Sequence, residues 1–424
     1  MINSKQIQKE YLGYMNSQNW SIWNSKKLIN STFPTCFVIS GAVDWFNKKI
    51  IENPLIPEAY VTYQRCFRHF DEPDKTHQPF FWMLLTISWD KYSREKVIED
   101  NYKFATGILG LKSENLLFTV WQGGNIYGLG INTNEDADIE RINQGKEFDN
   151  MKKYGINMPR DEEAINAWLS QGIKNNQILE VGELDLINNK DAILLNSREH
   201  FAGVRSEPYY LNQKTGKYHE IGVFLHESHI KKTFAKRLNV LSQGLEDSLN
   251  KNSFLLKLKP KISPGGFGLE RLTMAMNEVS DVYEIEPLTT LKDILMNSSN
   301  EKPSYIILKD NSTTYGFEHI KNLDKEKIVE NAASYLHCLP WFIKDSAQNL
   351  SIKKDRQRTG IYRKVLRTIL VNMQSLGCDN YKNYDKLLRE VINFYSDSIE
   401  RIGDIKQICI REIDNQRKRI DNYA

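Results

Sequence analysis

The chain has 424 residues, 40% of them hydrophobic and 26% charged, with a formal net charge of +3. That length allows two or three domains with a sizeable core, and the balance is that of a globular chain rather than a disordered or fibrous one. So small a net charge names no polyanionic partner by itself, which leaves local clustering to carry any such reading. Cys36, Cys66, Cys338, Cys378 and Cys409 are scattered without a C-x-x-C pair. This points to reduced thiols in a cytoplasmic protein, not to a disulfide framework. The first residues lack the apolar core of a signal peptide, and no window nears the roughly 18 apolar residues that span a bilayer. No membrane is expected.

Residues 5–30 predict an amphipathic opening helix with Leu12, Met15, Trp20 and Trp23 as core anchors. Residues 33–43 read as a buried strand ending at glycine. Residues 60–68 and 80–89 read as two strands joined by a short polar loop, a hairpin. A helix over 93–109 follows, then a strand over 113–120 running into the turn Gly123-Gly124-Asn125, then a charged helix over 135–154. The Asn175-Asn176 and Asn188-Asn189 pairs make 156–200 loop-like, an insertion. Beyond it come a strand over 218–225, a helix over 230–248 and a strand from 254. That strand meets Pro264-Gly265-Gly266-Phe267-Gly268-Leu269-Glu270-Arg271, read as a glycine-rich turn opening into a helix. Helices over 324–339, 363–376 and 384–413 complete the chain. Strands first and helices afterwards predict an α+β architecture, an antiparallel sheet flanked by helices over 1–282 and an all-helical domain over 283–424.

Five groups of residues have chemical potential. Glycines at a strand–helix junction admit a close ligand, the helix start suits an anion, and Arg271 in its first turn could grip a phosphate. Across the hairpin, Arg68 stands near Phe80 and Phe81, which suits a triphosphate on a guanidinium and an adenine on a ring. Glu207 and Glu220 are carboxylates ahead of the glycine stretch. His219, His226 and His229 form a histidine group, of which His226 and His229, three apart, would suit a metal on a helix; read as strand running into loop, with no cysteine near, they do not make a zinc site. The fifth group is basic: Lys353, Lys354, Arg356, Arg358, Arg363, Lys364 and Arg367 stand against the single acid Asp355. With Val365, Leu366, Ile369 and Leu370 on the other side of the helix, one face is buried and the other can track phosphates.

The wording of these segments resembles the class II aminoacyl-tRNA synthetases of the alanyl type. G-x-G-L-E-R at 266–271 is similar to their motif 3. Gln64-Arg65-Cys66-Phe67-Arg68 with His77-Gln78-Pro79-Phe80-Phe81-Trp82-Met83-Leu84 is similar to their motif 2. Two such motifs in order, about 200 residues apart, are far more specific than either alone. The resemblance implies that Arg68 binds the α-phosphate of ATP, that His77 approaches it, and that Phe81 stacks on adenine. It also implies that Gly266, Gly268 and Arg271 close on the nucleotide. Ser206-Glu207 and Glu220-Ile221 match further family wording, which makes Glu220, and after it Glu207, the ligands expected for Mg2+. The stretch 360–367 resembles the family helix that grips a tRNA acceptor stem, so Arg356, Arg358, Arg363, Lys364 and Arg367 are expected nucleic-acid contacts.

The departures cluster where an amino acid is chosen. The family carries an aspartate two residues before G-x-G-L-E-R to anchor the substrate ammonium; here Pro264 stands there, with neither charge nor N–H. Either another carboxylate takes over or the substrate is presented differently. Trp82 replaces a glutamate, and Asn331 and Ala333 replace a histidine and an arginine of the helical domain. The implied function is ATP-dependent activation of an amino acid and its transfer to a tRNA 3′ end, specialised and without an editing domain. Transfer to a carrier protein or small molecule, and a tRNA-binding paralogue without catalysis, remain open. So do the amino acid and the oligomeric state.

Overall fold

The structure, a computed structural model, describes residues 2–28, 41–43, 45–46, 49–50, 55–68, 73–126, 156–182, 193–194, 201–231, 255–302, 324–347, 356–396 and 402–421. The expected helix over 135–154, almost all of the strand over 33–43 and most of the helix over 230–248 lie outside these residues. By packing the chain forms two units. Met1–Ser25, Ala42–Gln64 and Met83–Glu278 make the first; Lys26–Gly41, Arg65–Trp82 and Val279–Ala424 make the second.

The first unit opens with helix α1 (Ser4–Ser17) and β1 (Ser21–Ile22). Strands β2 (Glu58–Phe67) and β3 (Phe80–Trp89) precede α2 (Arg94–Lys103), which continues as a π turn over Phe104–Ile108. Next come β4 (Leu116–Trp121), β5 (Gly124–Ile126), β6 (Ile156–Met158), α3 (Glu162–Ser170), β7 (Ile178–Val181) and β8 (Ile193–Leu194). The unit closes with β9 (Phe201–Ser206), β10 (Pro208–Asn212), β11 (Lys217–Glu220), β12 (Gly222–Lys231), β13 (Leu255–Gly268) and α4 (Leu269–Asn277). A seven-stranded sheet runs β1-β2-β3-β13-β12-β9-β8, antiparallel across β3, β13, β12, β9 and β8. A four-stranded sheet runs β11-β10-β4-β7.

Several expectations need correction here. The opening helix stops at Ser17, where Asn19 takes a left-handed conformation; its buried face is Ile7, Tyr11 and Met15, with Leu12 only half-buried. Trp20 is buried beyond the helix and Trp23 half-buried. The segment 156–200 is not simply a loop-like insertion. Asp161 caps α3 by accepting from Ala164 N, and Trp168 is buried beneath the sheet, stacked at 4.0 Å on Phe118 and at 5.3 Å from Phe224. The Ala164, Ile165, Ala167 and Trp168 pattern carried that helix, and the asparagine pairs obscured it. The strand over 218–225 is two strands in two sheets, parted at Ile221, and residues 230–231 are strand rather than helix.

The glycine stretch itself is not a turn. β13 stays extended through Gly268, and the chain enters α4 directly, with Gly268 as its N-cap. The glycines answer to packing. A Cβ on Gly266 would sit 1.9 Å from the Leu84 carbonyl oxygen, and one on Gly265 would sit 2.4 Å from the Phe224 ring. Three hydrogen bonds in series fix this strand from behind. Tyr11 donates to Asn101 at 2.9 Å, Asn101 to Thr86 at 2.7 Å, and Thr86 to the Gly265 carbonyl at 2.9 Å. Buried polar groups linked in this way hold one geometry because breaking any link strands a partner.

The second unit contains α5 (Leu288–Ser298), α6 (Lys325–Ala347), α7 (Arg356–Ser375), α8 (Tyr381–Phe394) and α9 (Ile402–Asp421). The expected single helix over 384–413 is thus two, α8 ending at Phe394 before α9 begins. The tip of the β2–β3 hairpin packs on α6. Phe67 meets Phe342 at 4.8 Å, Trp82 meets Trp341 at 5.5 Å, and Arg65 lies 4.4 Å over Trp341 with Asp345 at 3.9 Å. Trp82 therefore fills an aromatic core where the motif's glutamate would have put a charge. Among the described residues no helix is long and apolar enough to cross a membrane.

Candidate active site

The first unit gathers a charged cluster where β9, β10, β11 and the start of α4 meet. Arg271, in the first turn of α4, is ion-paired to Glu220 at 2.6 Å. Glu207, at the junction of β9 and β10, is buried; Arg205 lies 3.3 Å away, and the Tyr209 hydroxyl donates to it at 3.0 Å. Tyr209 stands directly across the β10–β11 ladder from Glu220, which ties the two carboxylates into one group. Burial, aided by the charge of Glu220, pushes the Glu207 carboxyl up to about 7 against the pull of Arg205. Burial and the two glutamates push the Tyr209 phenol up as well. Burial, then Lys217 and Arg271, hold His219 below the ordinary histidine range.

Arg271, Glu220 and Glu207 are thus brought together, Arg271 in a helix's first turn and Glu220 on a strand as expected, except that the glycines preceding Arg271 are strand. Gly268 is not sterically demanded: a Cβ there would meet only the Arg271 side chain, at an ordinary 3.7 Å. Arg205 and Tyr209 were missed. The signal was present, because 205, 207 and 209 alternate along an extended backbone and so share a face. Two carboxylates are hard oxygen donors of the kind Mg2+ shares with phosphates. Among the described residues no three His, Cys, Asp or Glu side chains form a metal-holding group.

The second unit holds the hairpin residues. Arg68 follows the end of β2, its N–H bonded to the Pro79 carbonyl at 2.7 Å, and its guanidinium lies 5.0 Å over the Phe81 ring. The expected neighbours are therefore stacked on each other, one ring face of Phe81 being taken by Arg68. His77 is exposed in an Asx turn. Its N–H and Nδ1 both reach Asp74, and despite partial burial these bonds, with one from Thr76 N–H, hold the Asp74 carboxyl well below its usual range.

The basic helix is sided as expected. Val365, Leu366, Ile369 and Leu370 are buried while Arg363 is exposed and Lys364 and Arg367 are half-exposed. Arg356 and Arg358 fall in the first turn of α7, with their side chains outside the described residues. α9 adds Arg411 and Lys418, both exposed.

No family model matches the chain. It is similar to the alanine–tRNA ligase of Mycoplasmoides gallisepticum, 22% identical over 422 residues, covering 98% of this chain and 40% of the relative. It is also similar to that of Elusimicrobium minutum, 24% identical over 299 residues, covering 68% of this chain and 29% of the relative. The chain therefore spans less than half the length of these relatives. A looser structural likeness is to apo histidyl-tRNA synthetase of S. aureus, with 12% identity and a TM-score of 0.36, over 66% of this chain and 70% of that one.

Proposed function

We propose that this chain, an alanyl-tRNA-synthetase-like protein of the class II type, activates an amino acid with ATP and passes it to a tRNA 3′ end. The observation that carries the reading is the Arg271–Glu220 pair beside buried Glu207, at the end of the strand that bears the motif 3 wording. Adenylation is attack of a carboxylate oxygen on the α-phosphorus. An O–P bond forms, the bond to the leaving phosphate breaks, and pyrophosphate departs. It needs fixed positive charge around the phosphates more than it needs proton transfer.

Arg271 supplies such a charge, and Glu220 keeps its fork oriented until a phosphate competes for it. Arg68 is a second candidate for the triphosphate and Phe81 for the adenine, on the strength of the motif 2 wording. Mg2+, when bound, would be held by Glu220 and Glu207 and would add cationic charge at the phosphates. The exposed Arg363 with Lys364 and Arg367 makes the tRNA backbone the favoured acceptor, by counter-ion release rather than base reading. A specialised role is part of this proposal.

ATP–pyrophosphate exchange over a panel of amino acids, together with filter-binding of total tRNA at several salt concentrations, tests the reading. Exchange with one amino acid and salt-sensitive tRNA binding support it. Exchange without tRNA binding moves the acceptor to a carrier protein or small molecule. ATP binding with a silent panel leaves a tRNA-binding paralogue.

A further inference from the structure

We infer that Gln78 is a positioning residue for the nucleotide, acting through His77 by tying the loop that presents this imidazole to helix α6. The inference rests on the adenylating reading above and deepens it by naming what sets the place of a side chain that the motif 2 wording puts against ATP. A polar loop joining two strands is ordinarily free to move, and an imidazole on a moving loop must give up that freedom to grip a ligand. This loop is fastened from behind.

Asp74 is the residue through which the fastening acts. Its carboxylate accepts from the Thr76 and His77 N–H groups, each at 2.6 Å, and lies 3.0 Å from His77 Nδ1. That leaves Nε2 on the far side of a half-exposed ring. The Asp74 carbonyl accepts from Gln78 Nε2 at 3.3 Å. A carbonyl can only accept, which fixes the way the amide faces. Gln78 Oε1 then accepts from the Ser334 hydroxyl of α6 at 2.5 Å, across 256 positions of the chain. Ser334 has one proton, shared between Gln78 and the Glu330 carbonyl at 2.9 Å, so Tyr283 is the donor of the 2.8 Å bond between their hydroxyls. Burial pushes the Tyr283 phenol above its ordinary range, which keeps it a donor. Tyr283 belongs to the short 3-10 turn Val282–Glu284, and the same turn takes a second hold on the loop: Val282 N–H donates to the Lys75 carbonyl at 2.8 Å. Gln78, Ser334 and Tyr283 are all buried, and the whole chain of bonds lies in the second unit. Buried polar groups linked in this way keep one arrangement, because each broken link strands its partner. The turn itself is closed by the Asp74 bonds alone; what the links to α6 add is a fixed place for it.

The test is ATP–pyrophosphate exchange by the whole chain over the standard amino acids, with KM measured separately for ATP and for the amino acid used. Gln78→Met removes the amide at similar length and should raise the KM for ATP about 3- to 10-fold, the order for one hydrogen bond lost. The amino-acid KM should stay within about twofold, since binding lost at one substrate need not move the other. Ser334→Ala should act in the same direction; alanine suits a helix, so this variant covers the case in which Gln78→Met fails to fold. The deciding comparison is made in a His77→Ala background. There Gln78→Met should move the KM for ATP by less than about twofold, because nothing is left for it to position. An effect as large without His77 as with it overturns the inference and makes Gln78 a packing group. So does an unchanged KM for ATP in the folded single variants. A wild-type chain that binds ATP but exchanges with no amino acid overturns the adenylating reading alone, and the same variants compared by calorimetric Kd for ATP still decide the inference. A chain that binds no ATP overturns both.

Discussion

Arg271 and Glu220 meet at 2.6 Å, joining a helix start in one sheet layer to the last residue of a strand in another. The pair stores the positive charge that a phosphate would use and the negative charge that a metal would use, each masked by the other. Binding nucleotide and metal together would part them at little net electrostatic cost, whereas either alone would strand one partner.

Arg271→Ala should therefore reduce pyrophosphate exchange by about 100- to 1,000-fold, the range for removing one preorganised donor at a charged transition state. Glu220→Gln should leave Arg271 in place and instead raise the Mg2+ concentration needed for half-maximal exchange. Undiminished exchange in the Arg271 variant would remove the cluster from the chemistry.

The Glu207 carboxyl gives a pH signature. Its folded value, about 7, lies above the ordinary 4.5, so between these values the folded chain binds more protons than the unfolded one. Stability then falls as pH rises through that window, by on the order of 1–3 kcal/mol in all. Thermal melting from pH 5 to pH 8 should show the decline in the wild type. In Glu207→Gln, which is neutral throughout, the slope should be flatter; an identical slope would mean another group is responsible.

The glycines separate packing from ligand approach. Gly266→Ala pushes a methyl into the Leu84 carbonyl, a backbone atom that can move only with its strand. It should cost at least about 1–3 kcal/mol, as overpacking does. Gly268→Ala, with ordinary contacts at 3.7 Å or more, should change stability by less than about 1 kcal/mol. Urea unfolding of the two variants checks the difference.

Local wording and periodicity were enough to place β2, β3, α2, α4 and α7, because each carries a pattern that its own neighbours satisfy. Glu207, Glu220 and Arg271 could be singled out for a different reason: a motif fixes residue types at set spacings, and the structure brings the three together. What sequence could not show was anything decided across strands. The extended course of Pro264-Gly265-Gly266 depends on Leu84 and Phe224, which lie far away in the chain. Tyr209 joins the cluster only through its register with Glu220. Arg68 was expected near Phe81, but that it lies over one face of the ring follows from the hairpin's local geometry rather than from composition. Trp168 was hidden among asparagines that usually mark loops, although its three apolar helix neighbours already had the right spacing.

The main-chain groups of Ile2 are clasped at both ends by the Asn277 amide, at 3.0 Å and 2.9 Å, across 275 positions of the chain. This clasp cannot form until α4 has been synthesised. At about 5–20 residues per second, that is a wait of roughly 14 to 55 seconds on the ribosome. Tyr11 meets Asn101 and Phe104 far sooner, so the opening helix is first seated against its early neighbours and is locked at its N-terminal end only when the unit's last helix arrives.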